Sequence, residues 1–297
     1  MNYYNDKTIV FLNGEWIKAG DAKTDLYSQT LHYGCGVFEG IRSYKTDDGV
    51  RIFKAEEHYE RLLYSAKKMH LNFDYTVDQL VALTYDLLEK NGLKDAYIRP
   101  LVYVDAYMHL TPADKTNLFL SAWEWDNLFS DKFLNVMTSS FQRPNPKSCF
   151  VDAKVSGHYT NSLLATTEAK ANGYDEALLL DMNGNVAEGP GANFFYEKGG
   201  KIFTCPAGNI LPGITRQTII ELAEELEIEV EEKYFTPEEI KGADGAFFTG
   251  TAAEVTGIKS LDGEDFKLAW EDTLGYVLRK MYKRRVAHNE YQNFALV

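Results

Sequence analysis

Lys154 stands in the stretch VDAKVSGHYTNSLLA, residues 151–165, at the end of a short run of small and apolar side chains and five positions before Tyr159. Its neighbours Ala153, Val155, Ser156 and Gly157 are not the charged partners or turn residues that usually surround a surface lysine. An amine that adds to a carbonyl carbon must be neutral, and an ordinary lysine, with a pKa of about 10.4, needs about 4.6 kcal/mol for that state at pH 7. Burial shifts such a group by up to roughly 3–5 units, and an apolar strand end with small neighbours offers the burial. The chemistry is covalent capture of a carbonyl. The commoner fate of a lone lysine is a solvated or structural one.

Three further stretches supply polar groups that fit such a site. In NILPGITRQTIIELAEEL, Leu211-Pro212-Gly213 breaks the chain, and Ile214, Thr215 and Arg216 fall in the first turn of a helix whose apolar face is Ile219, Leu222, Ala223 and Leu226. The unpaired amides of that start can hold a phosphate or a carboxylate, although many helices begin this way for capping alone. In FFTGTAAEVTG, residues 247–257, a strand ends in a tight turn through Thr249, Gly250, Thr251, Ala252 and Ala253, small enough for a ligand to approach its amides or simply a turn between strands. In NVAEGPGANFFYE, Glu188 precedes Gly189-Pro190-Gly191, but position 194 is Phe and the dinucleotide fingerprint fails. No Walker lysine follows Gly213. Glu188 is either a solvated turn residue or an acid aimed into a pocket.

The elements that must position these groups come from a chain of 297 residues, long enough for two domains. A net charge of −13 repels nucleic-acid phosphates and anionic lipids, and the one basic cluster, Lys280 to Arg285, reads as a solvated helix end. The start, MNYYNDKTIVF, has no basic segment or apolar run suited to a signal or membrane helix, so a cytoplasmic protein is expected. Cys35, Cys149 and Cys205 are isolated and odd in number, which fits free thiols and gives no metal site.

IVFL, Asn13-Gly14 and EWIKA read as a hairpin with a two-residue primed turn. Two amphipathic helices follow, AEEHYERLLYSAKKMH and then TVDQLVALTYDLLEKNG, the second with Thr76 and Gln79 as a capping box and Gly92 as terminator. YIRPLVYV and TNLFLSAW read as strands, with Pro100 required to sit where no ladder bond is donated. After the polar connection WDNLFSDKF, strands resume at LNVMTSS. Beyond it come a helix at NSLLATTEAKANG, hairpins turning at Asn183-Gly184 and Gly199-Gly200, and the helix of TRQTIIELAEEL.

Taken in order, HYGCGVFEGIR, EEHYERL, AYIRP, DAKVSGHYTNSLL, AEGPGANFF, LPGITR and FTGTAAE resemble the branched-chain amino acid aminotransferase family, pyridoxal-phosphate enzymes of fold type IV, over about residues 8–260. The resemblance implies an α/β (α+β) fold in two domains. A smaller α/β domain would span 1–127, a connection 128–135, and a larger domain with a β-barrel-like core 136–297, with pyridoxal 5′-phosphate between them. It also implies that Lys154 joins the cofactor covalently and, once displaced by the substrate, moves the proton between Cα and the cofactor's C4′ carbon. Glu188 would pair with the pyridine nitrogen and Tyr159 with the 3′ oxygen. Arg61, the amides of Ile214 and Thr215, and Thr251 would meet the phosphate. Without the other motifs, Arg61 reads equally as a surface partner of Glu57 or Glu60.

The implied reaction moves the amino group of leucine, isoleucine or valine to 2-oxoglutarate, giving branched 2-oxo acids and glutamate. One pocket must then accept an aliphatic side chain and the γ-carboxylate of glutamate in turn. By the same likeness Tyr33 and Phe38 form the apolar wall, Arg99 with Tyr33 reads the γ-carboxylate, and the α-carboxylate lies on the Thr251-Ala252 amides near the Tyr97 hydroxyl. Arg99 has the alternative of a structural ion pair. The chain departs from the better-known bacterial pattern at Ala106 to Pro112, at Leu128 and at Ala192, the first two on the substrate side. Amino acids, 2-oxo acids and a second copy of the chain are the implied partners, with no nucleic acid, membrane or metal. D-amino-acid or R-selective amine aminotransferases and aminodeoxychorismate lyase are the alternatives within the fold. A non-catalytic sensor or scaffold is the alternative outside it, disfavoured because a scaffold needs none of Lys154, Glu188, Tyr159 and Arg61.

Overall fold

The computed structural model describes residues 3–125 and 132–287. The first half builds one antiparallel sheet. β1 (Ile9–Leu12) and β2 (Glu15–Lys18) form the expected hairpin, with Asn13 and Gly14 at positive φ (51° and 94°). Then come α1 (Gln29–Tyr33), β3 (Val37–Phe38), β4 (Ile41–Thr46), β5 (Gly49–Ile52), α2 (Ala55–Lys68), α3 (Val77–Asn91), β6 (Ala96–Tyr103) and β7 (Asn117–Glu124). The strand order is β2-β1-β7-β6-β4-β5, with β3 also on β6.

Thr76 and Gln79 close the capping box of α3, and Gly92 ends it at φ 63°. The apolar stripes of α2 and α3, Tyr59, Leu62, Leu80 and Leu87, bury against Ile98, Leu118 and Leu120 of the sheet. Pro100 faces the break between β3 and β4. Its carbonyl accepts from the Glu39 amide there, so its absent N–H points at the same gap, where β3 and β4 are not paired to β6 as strands.

The second half supplies β8 (Leu134–Gln142), α4 (Tyr159–Ala171), β9 (Glu176–Leu180), β10 (Val186–Glu188), β11 (Asn193–Lys198), β12 (Lys201–Thr204), α5 (Ile214–Glu225), β13 (Val230–Glu232), α6 (Pro237–Ile240), β14 (Gly245–Gly250), β15 (Glu254–Leu261), β16 (Glu264–Asp265) and α7 (Leu274–Ala287). Strands β10-β9-β8-β15-β14-β11 pair in series, and β11 pairs back to β10, closing a six-stranded barrel. β12 and β13 extend from β11, and β16 lies on β15.

Period-2 alternation explains how one sheet serves two cores. Phe194 and Phe248 fill the barrel with Leu134, Val136 and Val186, while Phe195 and Phe247 point outward to α5 and α7. Tyr44 and Phe53 of the first sheet join that outer core, so the two sheets share apolar surface. β8 already begins at Leu134, which places the last two residues of the expected 128–135 connection in a strand; Leu128 lies outside the described residues. The short α1 and strands β3 to β5 carry no strong periodicity, which is why sequence reasoning passed over them. α4 starts at Tyr159, two residues before the expected Asn161.

Candidate active site

Lys154 is presented by packing on both sides of it. Ala153 and Val155 are buried in the core of the first sheet, so the intervening side chain points the other way, into a cleft between the barrel and that sheet. The Lys154 amide donates to the buried Ser65 hydroxyl of α2 at 3.0 Å, and its carbonyl accepts from the Phe38 amide at 3.1 Å. Further along, Gly157 lies backbone to backbone on Gly34: a Cβ on Gly34 would come within 2.7 Å of the Gly157 Cα. That close approach explains the glycine of HYGCG. The lysine-bearing segment thus belongs to the second half of the sequence but is fastened to the first.

The cleft opens to solvent, and its lining includes Arg61, Lys154, Tyr159, Glu188, Ile214, Thr215 and Thr251. All seven residues expected at the cofactor are therefore in one place. Lys154 is half-buried, less enclosed than its neighbours suggested, and its Nζ donates to the Tyr159 hydroxyl at 2.8 Å.

Glu188 is buried at the end of β10. Its Oε1 accepts from Arg143 Nη2 at 2.8 Å and from the Leu211 amide at 3.2 Å, and its Oε2 accepts from Asn193 Nδ2 at 2.9 Å. Burial pushes its carboxyl up, and the charge of Arg143, the Leu211 amide and Lys154 offset this only in part. Asn193 also donates to the Leu211 carbonyl at 2.9 Å, and a Cβ on Gly213 would meet Asn193 Oδ1 at 1.9 Å. The Leu211-Pro212-Gly213 turn that starts α5 is thereby seated against the residue that holds Glu188.

Arg61 does not pair with Glu57 or Glu60. Its Nε and Nη2 fork onto the two carboxylate oxygens of Glu39 at 2.6 and 2.8 Å, and Nη1 donates to the Pro212 carbonyl at 2.8 Å, beside the first turn of α5. Glu39 is fully buried and also accepts from His58 Nδ1 at 2.8 Å. Burial alone would raise Glu39, but the Arg61 charge and the bonds from His58 and Arg61 outweigh it and hold the carboxyl far below the usual carboxylate range. His58 is pushed down by burial more than Glu39 raises it, so it is a neutral donor there.

Because the folded Glu39 carboxyl is depressed, the stability it contributes is present above about pH 4, the ordinary carboxylate range, and is lost as the pH falls below that. Glu39→Gln leaves Arg61 largely buried without its acid. The expected loss at pH 7 is about 3–5 kcal/mol in urea unfolding, with the gap to wild type narrowing from about pH 4 towards about pH 2. A gap independent of pH would contradict the assignment.

Phe38, Arg99 and Tyr97 follow one another outward from Lys154. The Phe38 ring lies 5.2 Å from Lys154 Nζ and 4.5 Å from the Arg99 guanidinium, so it sits between the two. Arg99 Nη2 donates to the Tyr97 hydroxyl at 3.1 Å, and its Nε is buried with no partner among the described residues. Ala252 lies in the turn between β14 and β15. Tyr33, at the end of α1, is exposed beside His32 and is not among the residues lining the cleft. The Ala106 to Pro112 loop is tied to α1 through Gln29, which donates to the carbonyls of His109 and Thr111 at 2.6 and 2.9 Å.

Sequence reasoning missed Glu39, His58, Arg143 and Asn193. Three of them lie inside quoted motifs, but nothing in the motifs says that Glu39 meets Arg61 across 22 positions. Arg143 had only the weak signal of an arginine before Pro144 at a strand end. Among the described residues there is no group of three or more His, Cys, Asp or Glu suited to a metal, and no helix is long and apolar enough to cross a membrane.

A lysine, a buried acid and a helix start converging between a barrel and an antiparallel sheet define an aminotransferase fold: residues 36–261 match the amino-transferase class IV family, and the chain belongs to it. Its relatives are more particular. The branched-chain-amino-acid aminotransferase of Salmonella typhimurium is 41% identical over 262 residues, 86% of this chain and 85% of that one. The crystal structure of the Escherichia coli branched-chain amino acid aminotransferase matches with a TM-score of 0.92 and 35% identity over 96% of this chain and 97% of that chain. That of the Thermobaculum terrenum branched-chain amino acid aminotransferase in its PLP form matches at 0.89 and 34% identity, over 95% of this chain and 94% of that one. The fold expected from the motifs is thus the observed one, and the chain is an aminotransferase.

Proposed function

We propose that this enzyme transfers the amino group of branched-chain L-amino acids to 2-oxoglutarate with pyridoxal 5′-phosphate as cofactor. The observation that carries the reading is the convergence of Lys154, Tyr159, Glu188, Arg61 and the start of α5 on one cleft. The donor set fits this cofactor at both ends. One end has an amine beside a phenol. The other has amides at a helix start with an arginine, and the Thr249 hydroxyl faces the same cleft, buried and without a partner among the described residues. The cofactor supplies, when bound, an aldehyde carbon that takes up the amino group and a ring that accepts electron density from the substrate Cα.

The chain's own residues do the rest. Lys154 Nζ anchors the cofactor and then carries the proton to and from the substrate Cα; as covalent anchor it is already beside the carbon it must serve. Tyr159 holds that amine in place through its hydroxyl. Glu188 faces the ring nitrogen as its acid partner, and its three donors, Arg143, the Leu211 amide and Asn193, fix the orientation of the carboxyl. Arg61 Nη1, the amides of Ile214 and Thr215, and Thr251 bind the phosphate. Tyr97 and the Thr251-Ala252 amides take the substrate α-carboxylate, Phe38 the aliphatic side chain and Arg99 the γ-carboxylate of glutamate, while Tyr33, exposed and outside the cleft lining, takes no part in this assignment. Arg99 is suited to this because no acid pairs with it among the described residues.

Assembly into at least a homodimer belongs to the same proposal. Leu26, Leu31 and Leu110 are 79%, 59% and 86% exposed on the adjoining segments around α1 and the Ala106 to Pro112 loop, an apolar patch suited to a partner surface.

The test is a half-reaction panel that follows the bound cofactor's absorbance with L-leucine, L-glutamate and D-alanine. Conversion by L-leucine and L-glutamate is expected; conversion by D-alanine without L-leucine would move the reading to a D-amino-acid enzyme. In the same assay Arg99→Gln is expected to slow L-glutamate by about 10- to 100-fold, the worth of a charged hydrogen bond, while L-leucine changes little. Equal losses on both would remove Arg99 as the γ-carboxylate reader.

A further inference from the structure

The α-carboxylate site assigned above is split between the two sheets: the Tyr97 hydroxyl comes from β6, and the Thr251-Ala252 amides come from the turn between β14 and β15. Something must hold these halves at a fixed separation, and one buried ion pair crosses the seam beside them. Glu254, the first residue of β15, directly follows the turn and pairs with Gly250 at its base. Its Oε1 accepts from Arg42 Nη1 at 3.0 Å and from the Tyr44 hydroxyl at 2.9 Å, both on β4. The side chains of Arg42 and Glu254 are 8% and 9% exposed. Arg42 stands opposite Tyr97 in the β4–β6 register, and its Nη2 reaches the carbonyl of Trp125, whose ring packs 5.0 Å from that of Tyr97.

Two features show that Glu254 is placed for more than closing a hairpin. Its φ is +52°, a left-handed conformation that favours glycine, so a simple turn would be better served by another residue. The Tyr44 hydroxyl that it holds also meets Tyr282 of α7, which reaches the Thr215 hydroxyl in the first turn of α5.

We propose that Glu254 is a positioning residue for substrate binding: gripped by Arg42 and Tyr44, it fixes the Thr251-Ala252 turn at the distance from Tyr97 that an α-carboxylate spans. The proposal rests on the assignment of the α-carboxylate to that turn. It commits to an effect common to every substrate carrying an α-carboxylate and indifferent to the side chain. Leucine and glutamate must therefore respond alike, unlike the response to Arg99→Gln.

The experiment compares Glu254→Gln with wild type in KM for L-leucine and L-glutamate, in calorimetric binding of 4-methylpentanoate to the holoenzyme, and in the affinity of the cofactor-free protein for pyridoxal phosphate. Both KM values and the 4-methylpentanoate Kd are expected to rise together, by about tenfold for one weakened hydrogen-bonded contact, with a clearly smaller loss of cofactor affinity, because Thr251 is one of several groups on the phosphate. Unequal changes for the two amino acids, a parallel loss of cofactor affinity, or no change at all would overturn the proposal. Tyr97→Phe is the control on the underlying assignment, since it must raise both KM values if the α-carboxylate lies there. A response to Tyr97→Phe without one to Glu254→Gln rejects the positioning role alone, and silence in both rejects the site. Should Glu254→Gln fail to fold, Tyr44→Phe removes one donor from the same carboxylate, keeps the ion pair, and is read by the same criteria.

Discussion

Lys154→Ala is expected to lower amino transfer by roughly 10⁴-fold or more, the upper range for removal of a positioned general acid–base, because it removes the covalent anchor at the same time. Stability should hardly change. The side chain is half-buried and its one hydrogen bond among the described residues goes to Tyr159, whereas the packing of the segment is carried by Ala153 and Val155 and its backbone by Ser65 and Phe38. Borohydride reduction followed by mass spectrometry gives a readout independent of turnover. Wild type should retain the cofactor's mass on the peptide containing residue 154, and the variant should not. Full transamination by the variant, or retention of the label elsewhere in the chain, would end the central assignment.

Glu188→Gln is expected to lower kcat by about 10²- to 10³-fold, the scale on which removal of one fixed charge or donor from a transition-state site is felt. The outcome depends on Arg143. The two side chains are 6% and 7% exposed, so removing the acid leaves a buried guanidinium unpaired, which costs about 3–5 kcal/mol in stability whatever the role in catalysis. The single variant thus loses both activity and stability. Glu188→Gln combined with Arg143→Met removes the stranded charge and should recover most of the urea-unfolding loss while leaving kcat as low as in the single variant. Recovery of kcat along with stability would mean that Glu188 acts only as the partner of Arg143.

The direction of the Glu188 shift gives a further check on that pair. A carboxyl raised by burial is a net burden when ionised, so its effect on the cofactor-free protein favours stability at low pH and weakens it as the pH rises through the raised value. Arg143 and Asn193 reduce this burden. Glu39, with the opposite shift, behaves in the opposite sense. Two buried acids, Glu188 lining the cleft and Glu39 behind Arg61, are thus distinguished by their partners: Glu39 has a two-toothed arginine fork, a histidine and the Gly40 amide, and Glu188 has one arginine nitrogen, one amide and one carboxamide.

Much of the architecture was legible because it is local. The Asn13-Gly14 hairpin, the Thr76–Gln79 capping box, the apolar stripe of α2 and the Gly199-Gly200 turn are each decided by a few consecutive residues whose torsions or periodicity admit few alternatives. Even the missing N–H of Pro100 could be assigned a requirement before its surroundings were known. The positions of Lys154, Tyr159, Glu188, Arg61 and the start of α5 were legible in another way, through motifs in a fixed order. Their spacing showed that they belong together without showing how they touch.

By itself, then, the sequence determined which groups are present and which backbone forms carry them: an amine among small residues, an acid before a glycine turn, a helix with free amides at its start. Only the tertiary structure decided their partners. Arg61 chose Glu39 over its neighbours Glu57 and Glu60, Glu188 acquired Arg143, and Glu254 was drawn to Arg42 across 212 positions. The reason is physical. Periodicity and turn chemistry act over a few residues, whereas a buried charge is satisfied by whatever opposite charge the folded chain brings within about 3 Å, and that distance is set by the packing of two sheets.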